Sequence, residues 1–200
     1  MEQILAVPSS KVKEHVPTGL VKLDEQQMLS FVEREGKFYD RTPDLENDSS
    51  LKQIVVYVLV ECQGKLLSYQ RKNSTDPRIE KKHSLAFGGH VNTDDIAPGK
   101  NPVLMGRARE LTEEVSVAGT PRFEFLGTLN IHREPIDEFH MGMVYVAHVQ
   151  TQEYTLNEAD KFAWSGWVSP QEAAQKFDKL ESWSKVVFET LYPQLMAAKT

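Results

Sequence analysis

The sequence predicts an α/β or α+β fold, in which a mixed β-sheet is sandwiched between helices. Three observations lead to this fold class. Ile54–Val60 is a β-branched, almost continuously apolar run that is typical of a central strand with both faces buried. Asn101-Pro102 is a strong helix start, since Asn serves as an N-cap and Pro suits the first helical position. Strand-like segments follow that helix, and a helical pattern closes the chain.

The residues before the central strand look like an N-terminal extension of residues 1–50, packed on or beside a main domain of residues 51–200. Ile4–Val7 predicts a short strand. Asp24 is placed to cap a helix that runs to about Glu35. Arg41–Ser50 is polar and rich in turn-forming residues, which indicates a linker or an exposed loop.

The residues after the central strand form a hairpin and two loops. Gln63-Gly64 is a turn signal, and Lys65–Arg71 is the returning strand. Asn73–His83 is polar and basic and predicts a loop. Ser84–Val91 brings two adjacent glycines after a short apolar segment, and Asn92–Lys100 is a second loop.

The second half of the chain starts with a helix from Asn101 to about Val117. Three predicted strands follow, at Phe123–Ile131, Met141–Val149 and Phe162–Val168. Two helices then close the chain, one from Ser169-Pro170 to about Lys176 and one over Ser182–Met196.

The composition excludes several function classes. The net charge is −6 over 200 residues, which does not favour polyanions, so we expect no nucleic-acid partner. Cys62 is the single cysteine, which excludes an internal disulfide and a cysteine metal cluster. No signal peptide and no apolar stretch approaching ~18 residues is present, so we expect a cytoplasmic protein without a membrane partner.

The helix that starts at Asn101 carries two separate arcs when its residues are placed at about 100° intervals. An apolar arc predicts the core-facing stripe and consists of Leu104, Ala108, Leu111 and Val115. An acidic arc lies roughly 140° away on the same wheel and consists of Glu110, Glu113 and Glu114. Gly106 lies one turn earlier in the acidic arc, where it would leave room for substrate or for metal-bound water.

The acidic arc is electrostatically costly, because its carboxylates repel one another at i, i+3 and i+4. Glu113 and Glu114 also lie near the helix C-terminus, where the macrodipole disfavours anions. A bound Mg²⁺ or Mn²⁺ would relieve this repulsion, since hard cations take clustered carboxylate oxygens as ligands. For an arbitrary helix with three glutamates, a solvated acidic face is a better interpretation than a metal site. Here the order of the residues around the glutamates favours the metal site.

Residues Arg109–Val117 (RELTEEVSV) resemble the second half of the box of the Nudix (MutT-type) hydrolases, G-x5-E-x7-R-E-U-x-E-E-x-G-U, where U is aliphatic. The matching residues are Arg109, Glu110, Leu111, Glu113, Glu114 and Val117. A preceding hairpin, the glycine pair Gly88-Gly89 and the segment Trp167–Pro170 are also similar to that superfamily. The resemblance covers roughly residues 51–195, and the chain looks like the group of predicted MutT-type phosphoesterases.

Two departures from the box pattern stand out. Ser116 replaces the box glycine, which would cost energy if that residue had to adopt a positive φ. Gly89 and Arg109 are 20 positions apart where the pattern gives 14, so the first half of the box is altered. Asp95, six positions after Gly89, keeps the early acidic position with Asp for Glu, but Asp94 serves about as well.

The resemblance implies a hydrolase in which water attacks a diphosphate bond of a nucleoside diphosphate linked to another moiety. It implies Mg²⁺ or Mn²⁺ as the cofactor. We assign Glu113 and Glu114 as metal ligands, and Glu110 as a third ligand or as a base. Arg109 is expected to orient a carboxylate rather than to touch the substrate.

Further candidate residues lie outside the helix. Glu138, in the loop Arg133–His140, is the best candidate for a general base outside the box, against the alternative of a solvated loop. Gly88, Gly89, His90 and Arg71 are candidates for substrate binding, although a structural role suits His90 as well. One stretch is locally basic and could steer phosphate, or simply be solvated; it contains Arg71, Lys72, Arg78, Lys81 and Lys82. Core packing is the expected role of Phe87, Trp164 and Trp167.

Two other functions compete with hydrolysis. The first is a catalytically inactive Nudix module that binds a nucleotide or metabolite as a sensor, but it would have no need for the repulsion among the box glutamates. The second is an isomerase of the same fold, for which Cys62 is badly placed as a catalytic thiol. The substrate is expected to be a small nucleotide or diphosphate, and the N-terminal extension could contribute to a homodimer.

Overall fold

The structure, a computed structural model, describes residues 1–72 and 81–197. The strands of this part of the chain are β1 (Gln3–Pro8), β2 (Gly19–Val21), β3 (Lys37–Asp40), β4 (Leu51–Cys62), β5 (Lys65–Arg71), β6 (His83–Ser84), β7 (Phe87–His90), β8 (Val115–Val117), β9 (Arg122–Asn130), β10 (His140–His148), β11 (Tyr154–Leu156) and β12 (Phe162–Val168). Its helices are α1 (Ser9–His15), α2 (Glu25–Glu35), α3 (Pro43–Glu46), α4 (Pro102–Glu114), α5 (Pro170–Gln175), α6 (Ser182–Leu191) and α7 (Pro193–Ala197). The predicted fold class, a large mixed sheet with helices, is confirmed.

The first of two compact units combines three stretches of chain, Met1–Tyr57, Gly88–Leu111 and Phe125–Tyr145. Within it, β1 pairs antiparallel with β3 and with the start of β4, and β2 pairs antiparallel with β9. The side chains of Ile4 and Val7 in β1 are fully buried. The N-terminal 50 residues thus supply a core strand to this unit.

The second compact unit combines Val58–Phe87, Thr112–Glu124 and Val146–Thr200. In this unit β5 pairs antiparallel with the end of β4, with β6 and with β12, and β8 pairs with β11. Tyr69 lies at the centre of its core, with ring centroids 4.8 Å from Phe87 and 4.7 Å from Phe162. The division between the units cuts through β4, β9, β10 and α4, which continue from one unit into the other along the chain.

Local sequence signals place several elements correctly. Asp24 caps α2 by accepting a hydrogen bond from the Gln27 amide at 2.8 Å, as its position predicts. Gln63 and Gly64 have φ values of 53° and 78°, so the β4–β5 hairpin closes with positive φ at both central residues. Cys62 is fully buried at the end of β4, where burial raises the pKa of its thiol. No helix in the described ranges is long and apolar enough to cross a membrane.

Three predicted boundaries are wrong. Arg41–Ser50 is not wholly a loop, because Thr42 caps the short helix α3 and Pro43 occupies its first turn. The closing helix over Ser182–Met196 is two helices, which separate at Tyr192 because Pro193 disfavours helical backbone in the residue before it. The long helix ends at Glu114, so the three residues up to Val117 form β8 instead. Of the predicted loop Asn73–His83, residues 73–80 lie outside the described residues.

Candidate active site

Helix α4 begins where its sequence predicts. Asn101 accepts a hydrogen bond from the Val103 amide at 3.0 Å through its side-chain oxygen, and Pro102 is the first helical residue. The next 12 residues continue the helix to Glu114. The cap therefore sets the start of α4 and, with it, the positions of the box residues along the helix.

The acidic face of α4 is turned inward. Glu114 is 8% exposed, and the side chain of Glu110 is 13% exposed. Glu113, by contrast, is exposed. Because burying a carboxylate is unfavourable unless partners compensate, this helix face is not an ordinary solvated surface.

The predicted core stripe of α4 is half wrong. Leu111 and Val115 are 3% and 1% exposed, as expected, but Ala108 is exposed and Leu104 only partly buried. The inward face of the first turns is formed instead by Val103 and Gly106. The face of α4 that packs inward is therefore shifted toward the acidic arc, compared with the face that the apolar pattern predicts.

Arg109 lies at the centre of the polar contacts in the first unit. Its Nε and Nη2 donate to the two carboxylate oxygens of Asp95 at 2.8 and 2.9 Å, which is the bidentate geometry that Arg favours. Its Nη1 donates to Oε1 of Glu110 at 2.8 Å. Arg109 therefore fixes the orientation of one box carboxylate while it is itself held by a second acid.

Asp95, rather than Asp94, is the acid that meets the box arginine. The side chain of Asp95 is 1% exposed and accepts a further hydrogen bond from the Asn92 amide at 2.9 Å, whereas Asp94 is exposed. The extra residues between Asp95 and α4 lie at positions 96–101. The insertion in the box thus leaves the Asp95–Arg109 pair intact.

Two glycines make room for these carboxylates, and a third permits close packing of the backbone. A Cβ on Gly89 would lie 2.6 Å from Oε2 of Glu110, and a Cβ on Gly106 would lie 2.8 Å from Oδ2 of Asp95. Gly106 therefore accommodates the Asp95 carboxylate, not substrate or water as its sequence position suggested. Gly88 has φ +149°, and a Cβ there would meet the Val56 carbonyl oxygen at 1.9 Å, so this glycine permits close backbone packing.

The C-terminal end of α4, in the second unit, is capped by a residue that the sequence did not indicate. The side-chain amide of Asn157 donates to the Thr112 carbonyl at 2.7 Å, and its backbone amide donates to the Glu114 carbonyl at 3.0 Å. These bonds satisfy carbonyls that a helix end leaves without partners. Ser116 lies in β8 and does not have a positive φ, so replacing the box glycine causes no strain here.

Glu114 influences the pKa values of two side chains within the second unit, Tyr69 and Lys161. Burial raises the pKa of the Tyr69 hydroxyl, with Glu114 among the charges that raise it further. Arg71 donates to that hydroxyl at 2.8 Å from Nη2, so Arg71 and Glu114 both act on Tyr69. The pKa of Lys161 is raised first by its hydrogen bond to Glu158, and Glu114 contributes to the same effect. Cationic side chains thus lie near the buried carboxylate.

No family model matches the chain. The chain is similar to the protein YmaB of Bacillus subtilis (strain 168), with 26% identity over 201 residues that cover 95% of this chain and 97% of YmaB. Among solved structures it is similar to Tm1382, provisionally described as a Nudix hydrolase, with a TM-score of 0.82, 27% identity, and coverage of 96% of this chain and 100% of Tm1382. The chain therefore has the fold of the Nudix hydrolases, the family that its box residues resemble.

The same fold recurs at lower identity in the NUDIX domain of Shewanella oneidensis NrtR, which was crystallised with ADP ribose. That domain gives a TM-score of 0.54 at 16% identity, and the match covers 86% of this chain and 99% of the other. At this identity the likeness concerns the fold alone. Helix α4 carries the Arg109-Glu110 and Glu113-Glu114 pairs of the box-like segment.

His90 turns its side chain away from helix α4. Side chains alternate between the two faces of an extended strand. A Cβ on Gly89 would meet Glu110, and Val91 lies against the Gly106 position, so both residues face α4. The side chain of His90, between them, points to the opposite face. The contact of His90 with the box is made by its main-chain carbonyl, which accepts a hydrogen bond from Nη2 of Arg109 at 3.0 Å.

Glu138 is held on the surface of the first unit. Its carboxylate contacts Nδ1 of His132 at 2.7 Å, and its side chain is 48% exposed. The hydrogen bond from His132 is the main cause that lowers the pKa of Glu138. The 3₁₀ turn that contains Glu138 is anchored by buried Lys52, whose amine donates to the Asp137 carbonyl at 2.7 Å. A lowered pKa makes Glu138 a weaker proton acceptor.

The aromatic side chains differ in burial. Phe87 is fully buried, as expected, and Trp167 donates from Nε1 to the Gln152 carbonyl at 2.8 Å. Trp164 is 37% exposed, with the Lys176 amine 4.2 Å from its ring centroid, so the expectation of core packing is wrong for this residue. Of the basic stretch, Lys72 and Lys81 are exposed, and Arg78 lies outside the described residues.

Proposed function

We propose that this chain is a metal-dependent Nudix-type hydrolase that cleaves the diphosphate bond of a nucleoside diphosphate linked to another moiety. The inward orientation of Glu110 and Glu114 on α4 carries the proposal. Two carboxylates on one buried helix face are unfavourable on their own, and a bound cation offsets that cost.

The donor set fits a hard divalent cation in its chemistry. Carboxylate oxygens are the ligands that Mg²⁺ and Mn²⁺ prefer, and Glu110, Glu113 and Glu114 recur at helical spacing on α4. Across residues 1–72 and 81–197, however, no three His, Cys, Asp or Glu side chains converge as a ready-made metal site. We therefore assign Glu110 and Glu114 as the principal ligands and exposed Glu113 as an outer one, without fixed geometry.

The cation would neutralise phosphate charge and lower the pKa of an attacking water. The residues of the chain then have separate tasks. Arg109 holds Glu110 in one orientation, and Asp95 holds Arg109. Arg109 contacts Glu110 at Oε1 and Gly89 leaves space for its head group, so Glu110 is held in place as a ligand of the cation or, as the alternative, as the carboxylate that accepts a proton from water.

Substrate contacts are proposed for two groups. The backbone of Gly89 lies beside Glu110 without a side chain in the way, and Gly88 precedes it in β7. Arg71, which reaches the Tyr69 hydroxyl, supplies positive charge in the second unit. Glu138 is retained only as a secondary base, because His132 holds its carboxylate and lowers its pKa.

A phosphate-release screen with Mg²⁺ or Mn²⁺ over nucleoside triphosphates, nucleotide sugars, dinucleoside polyphosphates and coenzymes tests the proposal. ADP ribose belongs in the panel, because it was bound by the NrtR domain of the same fold. We expect metal-dependent cleavage of at least one nucleoside diphosphate derivative. We also expect millimolar Mn²⁺ to raise the melting temperature, because a ligand bound only by the folded state stabilises it. Binding of a nucleotide without cleavage of any panel member would favour the sensor module instead.

A further inference from the structure

Two histidines meet on the face of β7 opposite helix α4. Nε2 of His90 lies 3.1 Å from Nε2 of His140, with the ring centroids 5.2 Å apart. On its other side, Nδ1 of His140 lies 2.8 Å from the carbonyl oxygen of Ile136. All three residues belong to the first unit.

The carbonyl determines where the protons are. A carbonyl oxygen only accepts hydrogen bonds, so Nδ1 of His140 must carry a hydrogen. In a neutral ring Nε2 of His140 is then an acceptor, and Nε2 of His90 must be the donor. Burial, the neighbouring His140 and then Arg41 lower the pKa of His90 well below its ordinary value, which agrees with a neutral donor ring.

The main chain of His90 makes the next link. Its carbonyl accepts from Nη2 of Arg109 at 3.0 Å. Arg109 in turn holds Glu110 at 2.8 Å. Hydrogen bonds therefore lead from the Ile136 carbonyl through His140 to the His90 ring, and from the His90 carbonyl through Arg109 to a box carboxylate, with the covalent frame of His90 joining the two parts.

We propose that His140 is a positioning residue of the hydrolase: it holds the His90 side chain in one tautomer, and thereby fixes the His90 carbonyl that orients Arg109 toward Glu110. The inference rests on the proposed function for its effect on turnover. The hydrogen-bond series itself is independent of that function and has its own spectroscopic readout.

Two substitutions divide the roles of the His140 ring. In His140→Gln the side-chain amide reaches as far as Nε2 and can still accept from His90. In His140→Asn the shorter amide replaces only Nδ1, so it keeps the bond to Ile136 and loses the one to His90. We expect His140→Asn to lower kcat by roughly 10- to 100-fold with little change in KM, as for a small misplacement of catalytic groups. His140→Gln should keep most of the activity.

The matched control is the same pair of changes at His148, at the other end of β10. His148 contacts Glu61 and Glu124 at the protein surface, and neither substitution there should change kcat. Equal losses in His140→Gln and His140→Asn, or wild-type kcat in both, would overturn the proposal.

Side-chain ¹⁵N NMR tests the hydrogen bonds without any substrate. We expect the hydrogen on Nδ1 in His140 and on Nε2 in His90. We also expect an Arg109 Nη2–H signal that is protected from exchange in the wild type and loses protection in His140→Asn, because Nη2 is the group that donates to the His90 carbonyl. If the wild-type protein cleaves nothing in the panel, the proposed function fails while these signals still decide the inference. A hydrogen on Nε2 of His140, or an Arg109 signal unchanged in His140→Asn, would contradict it. If His140→Asn does not fold, the wild-type tautomers and His140→Gln decide.

Discussion

The inward and outward faces of helix α4 are not divided by polarity. Glu110 and Glu114 point inward, while the small side chain of Ala108 faces solvent together with Thr112. A helix placed only by hydrophobic burial would bury Leu104 and Ala108 together with Leu111 and Val115. The comparison indicates that specific polar contacts and space left by glycines, rather than apolar area, set the rotation of this helix.

The same comparison separates the box carboxylates into two kinds. Glu110 has an arginine partner and a glycine opposite it, and Glu114 is buried at the helix end. Glu113 lies on the exposed side. If burial marks the carboxylates that do chemistry, substitutions at these positions should have unequal effects.

The largest difference is expected between Glu110 and Glu113. Glu110→Gln keeps size and helix propensity nearly constant but removes a buried charge, so turnover should fall by on the order of 100-fold or more. Glu113→Gln should lower turnover less, by roughly 10-fold at most, because an outer ligand is more easily replaced by water. Steady-state kinetics on the best panel substrate gives both numbers.

Glu124→Gln, a change at an exposed carboxylate bound to His148, is the control for this pair and should leave turnover unchanged. Equal losses at Glu110 and Glu113 would mean that burial on α4 does not distinguish the carboxylates.

Substitutions at Asp95 and Asp94 form a second matched pair, which is compared by the free energy of unfolding. Asp95→Asn leaves the guanidinium of Arg109 without its bidentate partner, and breaking a buried ion pair costs about 3 kcal/mol. Asp94→Asn, one residue away and exposed, should change stability by less than about 0.5 kcal/mol. Urea denaturation measures both free energies of unfolding. A tolerated Asp95→Asn would show that Arg109 does not depend on this acid.

The smallest effect is expected at the capped end of α4. Asn157→Ala removes the side-chain hydrogen bond to the Thr112 carbonyl, and loss of one such bond costs about 1 kcal/mol. The backbone bond to the Glu114 carbonyl remains, so turnover should change by less than about 3-fold. A large loss of turnover with unchanged stability would instead place Asn157 among the functional residues.

Local signals made much of the fold predictable. Asn101-Pro102 marked the start of α4, and Gln63-Gly64 marked the hairpin, because caps and turns depend on residues close in sequence. The order of the box residues likewise identified the helix that carries the acidic arc. The end of α4 was misplaced because its cap, Asn157, is distant in sequence and has no local pattern.

The inward face of α4 was not predictable from its own sequence, since it depends on Gly89 and Asp95 in a preceding segment. One signal did exist for Asp95. Asn92 and Asp95 have the spacing of a capping box, and the structure forms that box. The link from His140 to His90 joins residues 50 positions apart, which no single sequence pattern encodes.

The most direct test of the central claim is Glu114→Gln, measured by turnover and by thermal denaturation together. If the inward acidic face is a metal site, turnover should fall by on the order of 100-fold or more. The metal-free protein should stay folded, with stability within about 1 kcal/mol of wild type, and the gain in melting temperature from Mn²⁺ should shrink. Full diphosphate cleavage by this variant would contradict the account. An unfolded variant would contradict it too, because Glu114 would then hold the structure together rather than the metal.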